Sequence, residues 1–151
     1  MVEEPYGKQP MTLQFEPPRD PKKMEAFIGW MLDDLGKFPG ALVQITDWYG
    51  CDDTPESLAK FRQGHDECRP WPDAPGHLYA PTAAAEAISL CHLAVAEHLS
   101  VYLYLASGAA TIYFWEGDLI DYFGWDETFH QVLYENVRLF DLNITYDSKV
   151  S

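Results

Sequence analysis

The stretch TAAAEAISLCHLAVAEHLSVYLYLASGAATIYFWEGDLIDYF, residues 82–123, decides the fold class. From Thr82 to Leu99 it is rich in alanine and leucine, and only Glu86, Ser89, His92, Glu97 and His98 interrupt the apolar surface. That composition predicts a central, largely buried helix with Thr82 as its cap. Three short runs follow, Val101 to Ala106, Ala109 to Trp115 and Leu119 to Phe123, rich in β-branched and aromatic residues. They are split by Ser107-Gly108 and by Glu116-Gly117-Asp118, and strand-like runs joined by glycine-containing turns predict an antiparallel meander. The helix covers one face of it.

Upstream, Met11 to Phe15 alternates and ends at Pro17 and Pro18, which suits a first strand. Asp20 before Pro21 is a cap followed by proline at the first helical position, and Met24, Phe27, Ile28, Met31, Leu32 and Leu35 then recur at helical spacing up to Gly36. Ala41 to Trp48 predicts a strand, and Thr54-Pro55-Glu56 opens a short helix to about Gln63. Residues 64–81, with four prolines, predict a long irregular loop. Asp126 caps a last helix from Glu127 to about Phe140, and Leu142 to Tyr146 suits a final strand. The expectation is a single α+β domain over residues 11–151, an antiparallel sheet against a central helix with flanking helices, preceded by a loose arm at 1–10.

Charge limits the function classes. The chain of 151 residues carries a net charge of −14, with no lysine or arginine between Arg69 and Arg138. Such a chain repels a phosphate backbone and an anionic bilayer, which excludes direct nucleic-acid binding and disfavours a membrane surface. Three cysteines cannot all pair, and no apolar run is long enough to span a bilayer, so a reduced, cytoplasmic protein is expected.

The strongest local signal is YFWEGDLIDYFGWDE, residues 113–127. Trp115, Glu116, Asp118, Asp121, Tyr122, Trp125, Asp126 and Glu127 form the expected partner-binding set, because rings supply desolvated contact area while carboxylates steer a basic partner. The same residues also suit a plainer role, with rings in the core and a polar turn between strands. A second cluster, Cys51, Asp52, Asp53, His65, Asp66, Glu67, Cys68 and His77, holds zinc-ligand types without a CxxC or HxxxH pair. His92 and His98, six apart on one helix, are expected on opposite sides. No phosphate loop, dinucleotide fingerprint, nucleophile elbow or EF-hand is present, and no cofactor or metal is expected.

These features suit an acidic protein-binding module, most concretely an immunity protein or antitoxin that occludes the active site of a basic toxin. The alternatives are a small enzyme using the cluster in residues 51–77, and an adaptor or structural subunit whose acidic face only solvates it.

Overall fold

The computed structural model describes residues 10–34, 38–45, 60, 63–64, 76–106 and 110–148. Seven strands form one antiparallel sheet: β1 (Met11–Phe15), β2 (Ala41–Ile45), β3 (Gly76–Tyr79), β4 (Val101–Leu105), β5 (Ala110–Trp115), β6 (Leu119–Gly124) and β7 (Ile144–Asp147). Three α-helices accompany them among the described residues: α1 (Pro21–Gly29), α2 (Ala84–Ala96) and α3 (Glu127–Leu139). The strands lie in the order β3-β2-β4-β5-β6-β1-β7. The expected meander β4-β5-β6 is the middle of the sheet, and β1 enters between β6 and β7. The fold is α+β, as the periodicities predict.

The caps work as their residue types require. The Asp20 carboxylate accepts from the backbone N–H of Lys22 and Lys23 with Pro21 at the first position, and the Asp126 carboxylate accepts from Thr128 and Phe129. α1 continues from Gly29 into a π-helical turn, Trp30–Asp34. Two expectations need correction. α2 begins at Ala84, and its N-cap is Ala83 with no side-chain hydrogen bond, so Thr82 is not the cap. Residues 76–79, expected as loop, pair with β2 in the register Leu42 to Leu78 and form an edge strand. The helix expected at 54–63 lies outside the described residues apart from Lys60 and Gln63, and the arm at 1–10 apart from Pro10.

One face of the sheet carries the core. Leu13, Phe15, Val43, Leu103, Ile112, Phe114, Ile120 and Tyr122 point at the helices and are buried with Phe27, Ile28, Leu90, Ala94 and Leu133. The edge-to-face pairs Phe15–Phe27 at 5.5 Å and Phe27–Phe140 at 5.2 Å tie β1, α1 and the end of α3 together. α2 buries Ala87, Leu90, Cys91, Ala94 and Val95, while Ala85, Glu86 and Ser89 are exposed. Its buried stripe is set by packing, because its sequence is apolar nearly all round. All three helices lie on this side.

Candidate functional site

Because side chains alternate along a strand, the register fixes what the opposite face presents. Leu78 on β3, Leu42 on β2, Tyr102 and Tyr104 on β4, Tyr113 and Trp115 on β5, Asp121 and Phe123 on β6, Gln14 on β1 and Tyr146 on β7 share it. Eight large hydrophobic side chains among the described residues are exposed, and six of them, Leu42, Leu78, Tyr104, Trp115, Phe123 and Tyr146, belong to this face. None of the described helices packs on this side. None of the described strands contains a lysine or an arginine.

The middle of the face is ordered by ring contacts. Tyr102 stacks on Tyr104 at 5.6 Å and lies 4.1 Å from Tyr113, which meets Trp115 edge to face at 4.7 Å. The row ends at Asp121, whose carboxylate accepts from Trp115 Nε1 at 2.7 Å and from Gln14 Nε2 at 2.8 Å. Gln14 is held in turn by the Thr145 hydroxyl, 2.7 Å from its Oε1. Both donors to Asp121 are neutral, so its charge is retained at the surface. Burial, and then the neighbouring Tyr113, Tyr104 and Asp121, push the Tyr102 phenol up. An added negative charge is unwelcome there.

The eight residues expected to bind a partner divide into three groups. Trp115, Asp121 and the exposed turn residues Glu116 and Asp118 lie on or beside the face. Trp125, Asp126 and Glu127 lead into α3 and are exposed, but the Asp126 carboxylate is occupied as the helix cap. Tyr122 is a correction. It points to the helices, is 0% exposed and stacks on Phe129 at 5.4 Å, so it is a core residue. The rings that the expected set omits are Tyr102, Tyr104, Tyr113 and Phe123; alternation along β4 to β6 is the signal that groups them.

The β5–β6 turn also closes a second feature. A cleft of about 400 Å³ is lined by Glu16, Pro17, Arg19 and Met24, by His92, Val95 and His98, and by Gly117 and Asp118. His92 and His98 therefore share one cleft, against expectation. The helical spacing rule fails because α2 ends at Ala96, and His98 takes a left-handed φ of 58°. His98 N–H bonds to Val95 O at 3.0 Å and Leu99 N–H to Ala94 O at 2.9 Å, a Schellman ending. His98 Nδ1 also lies 3.3 Å from Glu116 O, which docks the turn on the helix end. The cleft mixes two carboxylates with a guanidinium and two imidazoles, so its field has no single sign.

His77 of the second cluster lies on β3, and its other members lie outside the described residues. Cys91 is fully buried, and burial pushes its thiol up to about 12, so it is no nucleophile at neutral pH. No described helix is long and apolar enough to cross a membrane. No protein-family model matches this chain, and no curated protein or solved structure is detectably similar to it.

Proposed function

We propose that the protein is an acidic binding module for a basic protein partner, acting as an inhibitor in the manner of an immunity protein or antitoxin in the cytoplasm. The observation that carries this reading is the sheet face that no described helix covers, with six exposed large apolar side chains and no lysine or arginine in the described strands. Exposed apolar surface of that kind marks an interaction site. The charge decides its occupant: two copies at −14 each repel, whereas a basic surface is steered in. A toxin that holds phosphate in a positive active site has the required surface.

The test is capture from the source lysate on immobilised protein at about 50 mM and about 500 mM salt, a change that shortens the screening length severalfold. The expected result is a partner retained at low salt and released at high salt. Glu116→Lys with Asp118→Lys abolishes retention, and a charge change of equal size at Asp33 and Asp34 does not. Asp121 is left intact, because replacing it would break its bonds to Trp115 and Gln14. Salt-independent capture, or equal loss in both double variants, refutes the reading.

A further inference from the structure

We infer that the open face selects arginine over lysine: its ligand is a segment of the partner that lays guanidinium groups on the exposed rings of Tyr104 and Trp115, at the two ends of the aromatic row, and ends on Asp121. The inference rests on the basic-partner reading and goes further, to the chemistry of the contact. Four rings in continuous contact, at 5.6, 4.1 and 4.7 Å, cross two neighbouring strands; Tyr102 and Tyr113 pack on their neighbours and Tyr113 is buried, so Tyr104 and Trp115 are the rings that a ligand meets. A guanidinium is planar and weakly hydrated, and stacks on such rings; an ammonium is a compact, strongly hydrated charge that gains less there.

The row also ends on the right acceptor. Each Asp121 oxygen accepts one neutral hydrogen bond, from Gln14 or from Trp115, which leaves lone pairs on both oxygens. A guanidinium can use both at once, and an ammonium cannot fork in this way. None of the described strands carries a lysine or an arginine to occupy this carboxylate.

Blocked octa-arginine and octa-lysine peptides carry equal charge, and their binding to the intact chain is compared by fluorescence anisotropy at about 150 mM salt. Two guanidinium–ring contacts, each about three- to fivefold, predict octa-arginine binding about tenfold tighter or more. The double variant Tyr104→Leu/Trp115→Leu keeps apolar bulk and removes two ring faces. It is expected to bring octa-arginine to the octa-lysine level while the far-ultraviolet circular dichroism spectrum is unchanged.

Equal affinities in the unaltered protein overturn the arginine preference. The basic-partner reading then stands if both peptides weaken in Glu116→Lys/Asp118→Lys. Failure of both peptides to bind also overturns the inference, and lysate capture decides the broader reading separately. A neutral oligosaccharide such as cellohexaose binding the same rings, with octa-arginine inert, would make the face a sugar platform instead.

Discussion

Two glycines with left-handed backbones separate conformational strain from steric collision. Gly40 has φ 92° at the entry to β2, and a Cβ there would sit 2.9 Å from the carbonyl oxygen of Tyr79 on the paired edge strand. Gly117 has φ 79° in the β5–β6 turn, and its Cβ would meet His98 Nδ1 at 3.2 Å and Val95 O at 3.4 Å. Both Ala variants incur about 1–2 kcal/mol for the left-handed conformation, offset by about 0.4–1 kcal/mol from the less flexible unfolded chain. For Gly117→Ala little is added, because the imidazole can rotate away, which gives about 1 kcal/mol net. For Gly40→Ala the obstacle is backbone held in a ladder, and overpacking of that kind adds about 1–3 kcal/mol. At about 2–4 °C per kcal/mol for a chain of this size, Gly117→Ala should lower Tm by about 2–4 °C and Gly40→Ala by roughly 6–12 °C. Differential scanning calorimetry reads both. If Gly40→Ala melts at or above Gly117→Ala, the close approach of β2 to Tyr79 is not what makes glycine necessary.

The two acids flanking β6 should prove unlike. Asp126→Ala loses the α3 cap and about 1 kcal/mol in denaturant melts, whereas Asp118→Ala leaves stability within about 0.5 kcal/mol and weakens partner capture. Cys91 should resist alkylation at pH 8 until the chain unfolds, as followed by mapping the peptide that contains it. An unfolded thiol ionises near pH 9 while the folded one holds its proton to about 12, so stability falls as pH rises from about 9, by up to about 1.4 kcal/mol per pH unit from this group. Urea melts should show a shallower alkaline fall in Cys91→Ala. His130 Nε2 lies 3.2 Å from Asp147 Oδ1 with both side chains buried, joining α3 to the edge strand β7. Asp147→Ala should therefore cost about 1–3 kcal/mol and strip hydrogen-exchange protection from β7 amides before those of β4. Uniform loss across the sheet would contradict that link.

Much of this molecule is legible in its residues because local chemistry dictates it. Asp20-Pro21 and Asp126 announce two helix starts, and the aromatic and β-branched runs after Val101 announce the meander. β3 is not legible: GHLY lacks β-branched residues and follows a proline-rich run, so its extended form comes from pairing with β2. The sheet order is also hidden, since nothing near Met11–Phe15 encodes a place between β6 and β7. For the site, alternation places Asp121 and Phe123 on one face and therefore Tyr122 on the other, so that correction lies within reach of the sequence. The sharing of one cleft by His92 and His98 does not, because it depends on where α2 stops. The union of rings from β4 and β5 into one row depends on a register that only tertiary pairing sets.

The place of β1 bears on the time course of biosynthesis. Gln14 and Asp121, hydrogen-bonded across β1 and β6, stand 107 positions apart in the chain. At roughly 5–20 residues per second, a ribosome needs about 5–20 s to make the second after the first. Throughout that interval the first strand has neither neighbour, and β2, β4 and β5 can form a ladder without it. The earliest-made strand can then join the sheet only once β6 emerges to pair with it, and β7 completes the sheet at its outer edge. A nascent chain stalled just before β6 should therefore expose Leu13 and Phe15 to chaperones, while one released after β7 should bury them.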